Sequence, residues 1–193
     1  EAFNGKTYDN TEIEYFEVKL SNKNIFKYVS EKEAVKFLSE GTGIIYFGFP
    51  QCPWCRTLIP YLEEAAKLNG ISEVKYLNIL DIRDSYKVDN KKAVIDKKGS
   101  DSYYDLLDAL DEYLEKYYIT DDNGKKYDTG VKRLYAPTIA VVKDGKIVAF
   151  HEGTVDTQEK FVPLTDSEKK ELKNILNEKI SLISNTVCTD TAC

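Results

Sequence analysis

The sequence predicts an α/β fold, a central mixed sheet flanked by helices, with a helical insertion before a strand led by a proline. Three observations predict it. The run Ile44-Ile45-Tyr46-Phe47 is β-branched and aromatic without polar interruption, as in a strand covered on both faces. Directly after it, Leu58, Ile59, Leu62, Ala65, Ala66 and Leu68 recur at helical spacing. Near the end, Asp144-Gly145 separates the apolar runs 139–143 and 146–150, as a hairpin turn does.

The elements follow in order. Residues 1–24 are polar and Asn-rich, with a short alternating run at 13–18. They form an N-terminal extension, to be read as an edge strand, an ordered arm or a loosely attached leader. Residues 25–29 form a better strand. Ser30 and Glu33 make a capping box for a helix carrying Ala34, Val35, Phe37 and Leu38, which Gly41 stops. Pro50 ends the strand at 44–47, because a proline removes a ladder donor. Pro53 suits the start of the next helix, where its missing N–H costs no bond, and Asn69-Gly70 closes that helix. A strand is expected at 73–80. Residues 84–130 are an insertion. Its first part is charged, with turn signals at Asp89-Asn90 and Gly99-Ser100. After Ser102 a helix is expected, with Tyr103, Leu106, Leu107, Leu110, Tyr113, Leu114 and Tyr117 on one stripe. It either packs on the sheet as an ordinary helix or covers the site and meets a partner. Asp121-Asp122-Asn123-Gly124 is a turn without the downstream acidic spacing of a calcium loop. Thr165 and Glu168 form a second capping box, before a helix with Leu172, Ile175, Leu176, Ile180 and Ile183 toward the sheet.

A chain of 193 residues with 42% hydrophobic content can bury one sizeable core, so one domain with an insertion is expected over 25–184. The net charge of −6 argues against nucleic acid, which needs clustered cations. No apolar run approaches the roughly 18 residues that span a bilayer, and no signal peptide is visible. A first residue of Glu and the absence of Met fit a chain whose export signal has been removed, so anchoring to a membrane through such a segment stays open. Basic residues are mostly Lys, with Arg only at 56, 83 and 133, as AT-rich bacterial genomes encode. Four Cys in two close pairs fit an oxidising compartment. An extracellular or cell-surface location is expected, with the cytoplasm as the alternative.

The chemistry centres on Cys52-Pro53-Trp54-Cys55. A thiolate, not a thiol, attacks a disulfide. A helix N-terminus offers unpaired N–H groups and about half a positive charge, and Cys52 lies nearest to it. Cys52 is therefore the expected nucleophile, the more exposed of the two. Cys55, one turn on, is the expected resolving thiol. Arg56 is expected to be an exposed charge of small effect. A structural disulfide and half of a zinc site are the other readings of such a pair. His151, the single His, is expected to be an exposed bystander. The tail 185–193 ends in Cys188 and Cys193. They form a terminal structural disulfide, a second redox pair that exchanges with Cys52 and Cys55, or, with that pair, a zinc site of four thiolates.

These residues resemble the thioredoxin superfamily. The resemblance rests on the CxxC after strand and turn, on Pro60 five residues after Cys55, on the strand 74–79, and on Tyr135-Ala136-Pro137-Thr138 before the hairpin. It covers about residues 30–80 and 131–184. Within that superfamily the chain resembles the exported thioredoxin-like proteins of Gram-positive bacteria, including the bacteriocin transport accessory proteins. The resemblance implies a thioredoxin-like fold, a cis Pro137 packed beside Cys52, and a groove in which Trp54, Ala136 and Pro137 bind an extended substrate segment. It also implies a thiol–disulfide oxidoreductase acting on protein substrates, reset by a separate redox partner. On this reading the protein is a monomer that needs no cofactor and no metal. The alternative is a non-catalytic accessory protein that holds a client peptide in the same groove. The sequence departs from the family where thioredoxins carry a buried Asp, six residues before the first Cys. Tyr46 stands there, and Gln51 replaces the usual Trp. Pro53-Trp54 is closer to the Pro-Tyr pair of glutaredoxins. These changes leave the direction of electron flow open.

Overall fold

A computed structural model describes residues 2–6 and 17–184. Most of the alternating run at 13–18, and the tail with Cys188 and Cys193, lie outside them. The chain runs β1 (Phe26–Tyr28), α1 (Glu31–Glu40), β2 (Gly43–Gly48), α2 (Pro53–Leu68) and β3 (Val74–Asn78). Then come β4 (Ser85–Asp89), β5 (Lys92–Lys97), α3 (Asp101–Ala109), β6 (Lys116–Thr120) and β7 (Lys126–Lys132). It closes with β8 (Thr138–Lys143), β9 (Lys146–Glu152) and α4 (Asp166–Ser181). The result is mixed α/β, with four helices and a five-stranded central sheet in the order β1-β3-β2-β8-β9. β1, β3 and β2 run parallel; β8 runs antiparallel to β2, and β9 to β8.

The strands alternate their side chains between two cores, as period two requires. Ile44, Tyr46, Val74, Tyr76, Ile139 and Val141 face α2 and α4. Ile45, Phe47, Leu77, Ala140 and Val142 face α1 and α3. Both faces of β2 are thus covered, which explains its unbroken apolar run. The capping boxes of α1 and α4 form at Ser30–Glu33 and Thr165–Glu168. The β8–β9 turn places Asp144 and Gly145 at φ 51° and 70°. A Cβ at Gly145 would also run into the Ser39 carbonyl at the end of α1. Glycine is needed there twice over.

The insertion differs from its expectation. It holds two hairpins, β4–β5 and β6–β7, with the shorter helix α3 between them. Ser100, not Ser102, caps α3, accepting the N–H of Tyr103 at 3.0 Å. The helix ends at Ala109; Tyr113 lies in a single 3-10 turn and Tyr117 in β6. The aromatic stripe is therefore not one helical face. Lys-Tyr-Tyr-Ile-Thr at 116–120 is rich in strand formers, and strand pairing with β7 overrides the helical spacing. The turn at 121–124 closes that hairpin: Asp121 Oδ1 accepts the N–H groups of Asn123 and Lys125 at 3.0 and 2.9 Å. Of the two readings for the helix, α3 takes the ordinary one. Tyr103, Leu106 and Leu110 are fully buried with Ile45 and Phe47.

The described part of the N-terminal extension is an ordered arm. Gly5 and Val18 bridge each other, and Phe3 is buried against Tyr46 and Tyr76, with ring centroids 6.4 and 5.7 Å away.

Candidate active site

The sheet topology gathers the site. Gly48 at the end of β2 pairs with Asn78 at the end of β3. Phe47 pairs with Thr138 at the start of β8, and Thr138 with Glu152 at the end of β9. Four connections therefore meet at one end of the sheet. They are the cysteine turn after β2, the 79–84 loop after β3, the Tyr135–Pro137 segment before β8, and the turn after β9.

Cys52 is the N-cap of α2, with Pro53 in the first turn. Its Sγ accepts the Cys55 N–H at 3.3 Å, and its thiol faces the Ala136 carbonyl at 3.4 Å. The backbone N–H of Cys52 reaches the Phe49 carbonyl at 3.2 Å. The two cysteines come within 3.1 Å of each other, and both thiols are free. The Ala136–Pro137 peptide bond is cis. Cys55 is wholly buried, and Cys52 is 5% exposed rather than open to solvent. The Phe49 carbonyl accepts its N–H and the Ala136 carbonyl meets its sulfur, so both segments pack against it.

The two thiols are pushed apart in acidity. Cys52 is held below the ordinary thiol range by its hydrogen bond with the Cys55 side chain, then by the N–H groups of Cys55 and Trp54 and the charge of Arg83, against the effect of burial. Burial first, then the bond to Cys52 and its charge, push Cys55 well above that range. Cys52 thus ionises first and Cys55 stays a thiol beside it. A sulfur capping a helix start, with N–H donors aimed at it, can attack a disulfide. Its neighbour one turn on can release the resulting mixed disulfide.

Tyr46 lies behind this pair. It is fully buried, and its hydroxyl makes no hydrogen bond of ordinary geometry, although it adjoins the Cys55 sulfur. Burial, then the Cys55 charge, raise its phenol well above the usual value. A Cβ at Gly48 would overlap the Tyr46 hydroxyl and Cζ, so glycine here makes room for the phenol.

Trp54 and Ala136 line a recess of about 220 Å³ with Gly153, Thr154, Asp156 and Gln158. Ala136, whose carbonyl meets Cys52 Sγ, joins this recess to the sulfurs, and Gly153 N–H holds its wall by donating to the Pro137 carbonyl at 2.8 Å. Gln158 joins the groove to α2 by donating to Thr57 Oγ1 at 2.9 Å.

Two sequence expectations need correction. Arg56 is 1% exposed, not a surface charge. It donates to the Pro50 carbonyl at 3.4 Å and to the Gly5 carbonyl, tying the cysteine turn to the N-terminal arm. The arm covers it, and nothing local in the sequence says so. His151 is half-buried rather than exposed, with Nε2 2.9 Å from the Thr154 carbonyl. The sequence reading also passed over Arg83, on the loop after β3. Its one signal was scarcity: three arginines in the chain, and all three lie at this end of the sheet.

Among the described residues, no group of three or more His, Cys, Asp or Glu side chains is placed to hold a metal. No helix among them is long and apolar enough to cross a membrane. The chain matches no protein-family model and no curated protein.

Proposed function

We propose that the protein is a thioredoxin-like thiol–disulfide oxidoreductase acting on protein substrates. One observation carries the reading: a cysteine capping a helix and hydrogen-bonded by that helix, with a buried cysteine one turn on within 3.1 Å. The Cys52 thiolate attacks a substrate disulfide. A Cys52–substrate disulfide forms, and the other substrate sulfur leaves as a thiolate and takes a proton. Cys55 then loses its proton and attacks Cys52. The Cys52–Cys55 disulfide forms, and the second substrate sulfur leaves and is protonated in turn. Two electrons pass to the substrate, and a separate redox partner restores the pair; the reverse sequence oxidises a substrate dithiol. Neither direction needs an organic cofactor. Trp54 and Ala136, with the cis Pro137 next in the chain, flank the recess that would take an extended segment of the substrate, pairing with backbone at Ala136. Export to the cell surface belongs to the same reading, supported by two cysteine pairs in one chain.

The recess beside the sulfurs favours a second reading, an accessory protein that holds a client segment without exchange. One experiment separates the two. Reduced protein is mixed with a disulfide-bonded protein, and free thiols are counted over time. The oxidoreductase reading expects Cys52→Ser to abolish exchange and Cys55→Ser to accumulate a mixed disulfide at Cys52. Exchange that survives in Cys52→Ser, or its absence from the unaltered protein, overturns that reading. Client binding by an inert Cys52→Ser protein whose parent is also inert would establish the second.

A further inference from the structure

Among the described residues, Arg83 brings a formal positive charge to the active end and meets no hydrogen-bond acceptor or carboxylate. It is half-buried on the 79–84 loop, and its guanidinium carbon lies 5.0 Å from the centroid of the Phe49 ring. Phe49 belongs to the cysteine turn and accepts the Cys52 N–H. The stack therefore fixes the charge against the nucleophile's own loop. With the described residues the guanidinium makes no hydrogen bond and no ion pair, and its buried Nε is left without an acceptor.

The nearest carboxylate keeps one oxygen, Asp84 Oδ2, without a hydrogen bond, and it meets the Arg83 charge only through space. Asp84, next in sequence, is fully enclosed and paired with Arg133, which donates to both its carboxylate and its carbonyl. Arg133 also lies over Tyr117 at 4.5 Å. Its charge is paired within the fold, while Arg83 makes no ion pair with a described residue. A half-buried cation with no acceptor is costly. Arginine is the cation suited to the place, since it lies flat on an aromatic ring and stays charged.

We propose that Arg83 is a positioning residue for disulfide exchange: its unpartnered guanidinium, stacked on Phe49, is the counter-charge for the thiolates that form at Cys52. This rests on the oxidoreductase reading and deepens it. In the first step negative charge sits on Cys52 Sγ. As the Cys52–substrate bond forms and the substrate disulfide breaks, that charge moves to the leaving sulfur. The cation stacked on Phe49 acts on this charge at its Cys52 end. The other charged or titratable groups turned to this point are Cys55 from α2, Tyr103 from α3, Asp84 from the loop, and Arg133 and Tyr135 from before β8. Among these, Arg133 is held by Asp84, and Tyr103 is a neutral phenol pushed up to about 12 by burial. Arg83 thus supplies the free charge.

The test measures the thiol itself and needs no substrate. Iodoacetamide alkylation of Cys52 is followed by mass across pH in the reduced full chain, in Arg83→Gln and in Arg83→Lys. We expect Arg83→Gln to slow alkylation about fivefold near pH 6 and to converge on the parent as rising pH makes Cys52 a thiolate in both. Arg83→Lys should recover part of the parent's rate near pH 6, since it keeps the charge while losing the flat stack on Phe49. Matching profiles in the parent and Arg83→Gln, both shifted to low pH, overturn the role of Arg83 and leave the oxidoreductase reading standing. An equal slowing in Arg83→Lys assigns Arg83 a structural role and overturns the proposal. An ordinary thiol profile in the parent removes the activated nucleophile, and both fall together.

Discussion

The side chains that decide the site are small in number and mostly hidden. Tyr46 is the clearest case. Its phenol is enclosed between Gly48 and Cys55 and has no ordinary hydrogen bond. An orphaned buried hydroxyl is destabilising. Tyr46→Phe should therefore leave the stability of the reduced protein unchanged or raise it by up to about 1 kcal/mol in urea denaturation. A loss of about 1 kcal/mol or more would mean that the phenol is bonded to Cys55 after all. Gly48→Ala should cost about 1–3 kcal/mol through overpacking. Tyr46→Phe added to it should recover only part, because Cζ blocks the new methyl as well as the hydroxyl. Arg56 and Arg83 show what sequence withholds at this scale. Arginine is usually exposed, and nothing within a few residues of Arg56 reveals that Gly5 folds back over it. The cysteines were legible because their chemistry is local: nucleophile, proline and helix start lie within four residues.

Elements were legible where period, length and punctuation agreed. β2, α2, α4 and the β8–β9 hairpin meet that condition, as do the caps at Ser30 and Thr165. The insertion did not, because its signals conflict. Tyr103, Leu106 and Leu110 continue as Tyr113 and Tyr117 at helical spacing, yet the chain leaves the helix at Ala109 and enters β6 at Lys116. Pairing of β6 with β7, and of Tyr86 on β4 with Tyr117 on β6 at 5.9 Å, are contacts between elements that a local window does not contain. α3 itself belongs to the core. Leu106→Ala should cost about 2–5 kcal/mol in urea denaturation. Its alkylation profile at Cys52 should match the parent's, since Leu106 lies in the core on the face of the sheet opposite α2. A change in thiol reactivity without loss of stability would make α3 a cover over the site instead.

At the scale of the whole molecule, the site is a product of topology. The parallel β2–β3 pair and the antiparallel β8 bring Cys52, Arg83 and Ala136 to one end of the sheet, although they are tens of residues apart in sequence. That convergence was legible in the sequence only for Cys52 and Ala136, through the thioredoxin resemblance. The same burial sets the pH response. Cys55, Tyr46 and Tyr76 ionise less readily in the fold than outside it, burial being the largest cause for each. Their contribution is present at low pH and is lost as pH rises past the unfolded values, about 8.5 for Cys and about 10 for Tyr. Cys52, lowered in the fold, has the opposite sign: it adds stability above its unfolded value, lost as pH falls through its folded one. The urea midpoint of the reduced protein should therefore peak near about pH 8–9 and decline above it, with Cys55→Ala delaying the decline toward about pH 10. A midpoint flat to about pH 10.5 would contradict these burial effects. The most direct test of the central claim is an equilibrium redox titration of Cys52 and Cys55. Thiols are trapped by alkylation and counted by mass, beside a variant lacking Cys188 and Cys193. The account predicts one two-electron couple between about −270 mV, a reductant, and about −120 mV, an oxidant, the same in both proteins. A pair that never cycles, or one that cycles only when Cys188 and Cys193 are present, would contradict it.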